Sequence, residues 1–304
     1  GLTALGTAMI STGAHAASLS ASGSTSINFN GEDNSVKGNG WSMTDSVTFS
    51  GSGEMDNGWT VSTSIEMDNH TAGDSDRSIS VDTGDTGKLT FSGNGGSGPI
   101  GAWDDVTPTA NEEAHGTTFA GTKFGAANND PNAQNSFVYD YTIMDGLALK
   151  ASYIPSDTTT SLDSSTDMGV LYTGIDGLSI YAAMGENNAA SNSADLSMFG
   201  VVYSAGAFTV GYQVNETDYG AANSDEDFTA MGVSYAVSDD LSVSLNTSEI
   251  DFESGSNDQQ ATGVSFSYTS GGMTISGSHS NVDNVGGTST TDNSGYEINF
   301  KFAF

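Results

Sequence analysis

Apolar side chains recur at every second position through most of this 304-residue chain. Period two marks a β-strand with one apolar and one polar face. Leu19, Ala21, Ile27 and Phe29 share one parity, and Ser20, Ser22, Ser24, Ser26, Asn28 and Asn30 share the other. Trp41, Met43, Val47 and Phe49 alternate with Ser42, Thr44, Ser46 and Thr48. The chain ends the same way, with Tyr296, Ile298, Phe300, Phe302 and Phe304 set between Glu297, Asn299, Lys301 and Ala303. A terminus normally frays into water, so a row of rings there asks for an apolar solvent.

The pattern predicts sixteen strands, at roughly 18–30, 40–50, 58–67, 77–83, 88–93, 135–142, 147–154, 166–173, 177–185, 194–204, 206–216, 227–236, 240–250, 260–269, 272–281 and 294–304. Their connections alternate strictly. Short turns such as "IMDG", "SAGA" and "TSGG" are followed by long polar segments, the longest being 94–134. No run reaches the ~18 apolar residues of a membrane helix, so any membrane crossing falls to strands. A sheet in hydrocarbon must leave no N–H or C=O unpaired, which requires closure. The expectation is an all-β transmembrane antiparallel barrel with short periplasmic turns and long extracellular loops. The polar parity, mostly Ser, Thr and Asn, then faces a water-filled lumen.

Composition narrows the function. The chain carries 38 acidic against 6 basic side chains, a formal charge of −32. Nucleic acid is excluded as a partner, since its phosphates need Lys and Arg. There is no cysteine, hence no disulfide framework or thiolate metal site. "LTALGTAMISTGAHA" ends in a small-residue pattern at Ala14-His15-Ala16, so residues 1–16 read as the tail of a secretory signal and 17–304 as the barrel. The alternative is a secreted acidic β-rich adhesin or solenoid without channel activity, although no fixed-period motif supports it. Enzymatic activity is not expected: only His70, His115 and His279 follow the signal, and no G-x-S-x-G sits at a strand-to-helix turn.

The order of segments resembles the general diffusion porins of the alphaproteobacterial type. The likeness is carried by "ASLSASGSTSINF" as first strand, "TGKLTFSGNGG" leading into one long third loop, "VYDYTIMDGLALKASY" as the next hairpin, and the terminal "FKFAF". The resemblance implies a third loop folded into the lumen and a homotrimer in the outer membrane. It also implies contact with outer-membrane lipid and lipopolysaccharide, and a final aromatic, here Phe304, read by the assembly machinery. Small hydrophilic solutes would be the cargo. One departure stands out. Family members line the wall facing the third loop with several Arg and Lys, whereas this chain has only Lys37, Arg77, Lys88, Lys123, Lys150 and Lys301, of which parity turns Lys150 and Lys301 inward.

The third loop carries Asp104, Asp105, Glu112, Glu113 and Asp130, with Lys123 as its one base. Asp104, Asp105, Glu112 and Glu113 are the candidate constriction residues of a cation-preferring pore, and Lys150 and Lys301 the basic residues of its wall. Gly93, Gly95, Gly96, Gly98 and Gly101 let the backbone turn inward, and Pro99 stiffens that turn. The acidic loops "NGEDN", "ENNAASNSADL", "NSDED" and "VDNVGGTSTTDN" offer oxygen ligands of the kind Ca²⁺ or Mg²⁺ accepts, without EF-hand spacing. No cofactor is expected. Asp45 is the one mid-strand charge on the lipid parity, and is expected to be shielded at a subunit interface.

Overall fold

The computed structural model describes residues 18–33, 40–68, 75–114, 135–156, 163–188, 193–222, 224–254 and 257–304. The chain runs through β1 Ser18–Glu32, β2 Trp41–Glu54, β3 Thr60–Asp68, β4 Asp76–Asp82 and β5 Lys88–Asn94. After a one-turn helix, α1 Pro99–Ala102, come β6 Ser136–Met144, β7 Leu147–Ile154, β8 Ser165–Ile175, β9 Leu178–Asn187 and β10 Ala194–Ala205. The series closes with β11 Phe208–Tyr219, β12 Glu226–Ala236, β13 Leu241–Phe252, β14 Gln259–Ser270, β15 Met273–Asp283 and β16 Asn293–Ala303. Each strand pairs with the next, and β1 pairs antiparallel with β16, so the sheet is a closed barrel with no free edge. Every predicted strand is present, its ends displaced by up to four residues, the largest shift being at the end of β2. The signal segment 1–16 lies outside the described residues.

The predicted outward parity is the exposed one. Leu19, Met43, Met168, Met184 and Phe304 are each more than half exposed on the single barrel, as side chains facing hydrocarbon must be. Rings gather toward both rims of this face. Phe29 packs on Trp41 and Tyr296 at one end, and Phe208 on Tyr235 at the other. Such rings suit the boundary between headgroup and acyl chain. Asp45 lies on the outward face of β2, opposite Thr25 and half-buried, so the predicted register holds.

The inner face differs from the expectation in one respect. It is not polar throughout. In the half toward the long loops it buries Leu196, Met198, Phe228, Ile250, Phe252 and Val282. These residues form three clusters: one with Ile100 of α1, one with Ala114 of the third loop, and one between β12 and β13. Burying a residue of this size is worth about 1.5–3 kcal/mol. The clusters therefore give a lumen-crossing loop something to dock on.

Candidate functional site

The third loop leaves β5 at Gly95, whose φ of +73° turns the chain inward. It then lies against the inner wall from β7 to β14 and reaches β16. The first anchor is Asp167 on β8, which accepts the Ile100 N–H at 2.9 Å and the Ser152 hydroxyl. A Cβ on Gly98 would collide with that carboxylate. Next comes Gln213 on β11. Its Oε1 accepts the Val106 N–H at 2.8 Å, and its Nε2 donates to the carbonyls of Trp103 and Asp104. Asn246 on β13 donates to the Pro108 carbonyl at 2.9 Å. The Ser244 and Ser265 hydroxyls accept the N–H groups of Ala110 and Asn111 at 3.0 and 3.1 Å. Fixing these otherwise unpaired backbone groups is what lets irregular chain sit inside a barrel.

The wall is also shaped for the loop. Gly200, Gly211, Gly232 and Gly263 face it from β10, β11, β12 and β14. A Cβ on each would stand 2.6 Å from Val106 Cγ2, 2.5 Å from Pro108 Cδ, 2.8 Å from the Pro108 oxygen and 2.8 Å from Ala114 Cα respectively. Gly211, Gly232, Asn246 and Gly263 are direct cross-strand neighbours, so this is one shallow track across the sheet.

The loop brings its four predicted carboxylates together. Burial first, then Asp105 and Glu113, push Asp104 up to about 7. Burial first, then Glu297, Glu113 and Asp105, push Glu112 up to about 7. Burial also raises Asp105 and Glu113. Glu297 was not among the expected site residues. It points inward from β16, accepts the Asn111 side-chain N–H at 2.6 Å, and is the largest charge acting on Glu112. Its inward parity was visible in the sequence; that the loop reaches it was not.

Toward the short turns, the inner face of β1–β4 is rich in hydroxyls, with Asp82 beside them on the same parity. Ser18, Ser20, Ser50, Ser52, Ser62, Ser64, Ser78 and Ser80 border one recess with Lys88 at its edge. Lys150 and Lys301 fall on the inner parity as expected. Lys150 is paired with Asp140 at 3.3 Å, which offsets much of its charge. Lys88 also faces the lumen, from the first position of β5, and corrects the expectation of two inward bases. Arg77 stands on the outward parity at the start of β4, against Gly93. Lys37, Lys123, Asp130, His70 and His115 lie outside the described residues. His279 is exposed on the outward face of β15.

Among the described residues, no three His, Asp or Glu groups converge as a metal cage. The acidic loops spend carboxylates on their own backbone instead: Asp225 accepts the Tyr219 N–H at 2.8 Å, and Asp292 that of Asn284 at 3.1 Å.

Residues 1–269 match the family model described as Gram-negative porin. A search of curated proteins gave no match. Among solved structures, the barrel is similar to an anion-selective porin from Comamonas acidovorans (TM-score 0.76, 14% identity, 95% of this chain and 100% of that one). It is also similar to a mutant of the Rh. blastica porin (0.67, 19%, 95% and 100%). A third is OmpT of Vibrio cholerae in its trimer form (0.68, 15%, 95% and 100%). With a closed sixteen-stranded barrel, a loop docked in its lumen and a family match over most of its length, the chain belongs to the Gram-negative porins of the bacterial outer membrane.

Proposed function

We propose that this porin passes small hydrophilic solutes by diffusion and prefers cations. The observation that carries the reading is the juxtaposition of Asp104, Asp105, Glu112 and Glu113, joined by Glu297, with a wall of serine hydroxyls in place of a basic cluster. Charges lining a narrow passage with low-dielectric walls act on an ion more strongly than in bulk water. The screening length at physiological salt is about 8 Å, so a permeating ion still senses them. The Comamonas porin is anion-selective. At 14% identity that likeness speaks for the fold, and the sign of selectivity follows from the charges each pore carries. By the same reading the barrel works as a homotrimer in contact with lipid and lipopolysaccharide, with Asp45 covered by a neighbouring subunit and Phe304 read during assembly. The test is the reversal potential of the purified protein in a planar bilayer under a KCl gradient. A cation-selective sign supports the reading, and an anion-selective sign refutes it.

A further inference from the structure

Two of the inward lysines, Lys88 and Lys150, stand together, apart from Lys301 on β16. Asp82, Lys88, Asp140 and Lys150 are successive cross-strand neighbours on β4, β5, β6 and β7, so acid and base alternate along one lateral row. The next residue in the row is Gly169 on β8, and the Trp103 ring of the third loop lies on it, where a Cβ would collide. Ala148 and Leu171, paired on the adjacent inner positions of β7 and β8, add an apolar patch. The four charged residues of the row, with Asp85, Trp103, Ala148 and Leu171, border a cavity of about 620 Å³ beneath the loop, on the side of the short turns. That volume falls within the range of small-molecule sites.

We infer that this cavity is a subsite for small zwitterionic solutes, such as amino acids and short peptides with free ends. Neighbouring strands lie about 4.8 Å apart and Lys150 Nζ stands 3.3 Å from Asp140 Oδ1, so opposite charges alternate within the few ångströms that separate the ammonium and carboxylate of such a solute. Lys150 donates to Asp140 at 3.3 Å. An ammonium has three protons and a carboxylate about four lone-pair positions, so each keeps capacity for a ligand. A solute carboxylate meets Lys88 or Lys150, its ammonium meets Asp82 or Asp140, and its carbon skeleton rests on Trp103 and Leu171. The lining carries three carboxylates, Asp82, Asp85 and Asp140, against the ammonium groups of Lys88 and Lys150, so a monovalent ion meets both attraction and repulsion here, whereas a dipolar solute is complemented at both ends. The inference rests on the channel reading but not on the sign of its ion selectivity.

The test is the KCl current of the intact protein in a planar bilayer, with glycylglycine added to the short-turn side and N-acetylglycinamide, an uncharged molecule of like size, as control. Glycylglycine is expected to reduce the current reversibly and the control to leave it nearly unchanged. Lys150→Gln is expected to raise the half-blocking concentration roughly fivefold, the scale of one solvent-accessible ion pair. Trp103→Ala, which leaves the charged row intact, is expected to weaken block as well. A conducting wild-type pore on which the two probes act alike overturns the subsite without touching the channel reading. Absence of KCl conductance refutes both.

Discussion

Phe304 and Gly23 exchange both of their backbone hydrogen bonds, each at 2.9 Å, so the last residue closes the seam between β16 and β1. A Cβ on Gly23 would stand 2.9 Å from the Phe304 ring and 2.7 Å from the Ser46 carbonyl oxygen. The missing side chain is the seat of the terminal ring. Phe304→Ala keeps the backbone pair and removes the ring. It is expected to lower the yield of folded trimer while leaving the conductance of surviving trimers unchanged. Gly23→Val, which crowds the ring, should lower yield similarly. Quantifying folded protein in outer-membrane fractions checks both, and normal yield of the two variants contradicts the role.

Gln213 is fully buried and tied to the loop at Val106, Trp103 and Asp104. Gln213→Ala leaves the Val106 N–H without that acceptor, at a cost of about 1–3 kcal/mol for a buried group. The barrel hydrogen bonds are untouched, so heat stability of the fold should change little. Open-channel current noise should rise as the loop gains freedom. Unchanged noise means that other anchors suffice.

Asp104 and Glu112 are both raised to about 7, burial being the first cause. They are neutral well below that pH and charged well above it. The cation preference is therefore expected to weaken as pH falls from 8 to 6. The same shift favours a docked loop at low pH, because a carboxyl raised above its unfolded value binds more protons when folded; that contribution is lost as pH rises through 7. Glu297→Gln removes the leading charge on Glu112 while keeping an acceptor for Asn111, so the pH midpoint should move down. Reversal potentials measured across this range check the sign, and a flat profile contradicts it.

Asp45 occupies the outward face of β2 between Met43 and Val47, where lipid exposure of a charge costs up to about 2–4 kcal/mol near the midplane, less for Asp than for a base. In the proposed trimer a neighbouring subunit covers this face and removes the conflict. Asp45→Lys is expected to lower the temperature at which trimers dissociate in unboiled gels. An unaltered dissociation temperature places the interface elsewhere.

Strand register was legible because alternation is redundant: a slip of one residue would have turned Trp41, Met43, Val47 and Phe49 all inward together. The candidate carboxylates were legible because they crowd one long loop. Lys88 was legible too, since Leu89 and Phe91 alternate with Thr90 and Ser92 and put it on the inner parity. The inward apolar residues escaped because strand edges carry apolar groups on both parities: Leu196 and Met198 precede Phe199 and Val201, and Val243 and Leu245 precede Ile250 and Phe252. That change of parity within one strand was the available signal. Glu297 and the glycine track depend on where a loop lands far away in sequence, which periodicity does not encode.

In the proposed function the loop carboxylates set the sign of ion selectivity. Under a KCl gradient the wild-type reversal potential is expected to report K⁺ over Cl⁻, weakening as salt rises. The variant Asp104→Asn, Asp105→Asn, Glu112→Gln and Glu113→Gln is expected to move that potential toward zero with little change in pore size. A quadruple variant that retains the wild-type reversal potential contradicts the claim and transfers selectivity to the acids of the other long loops.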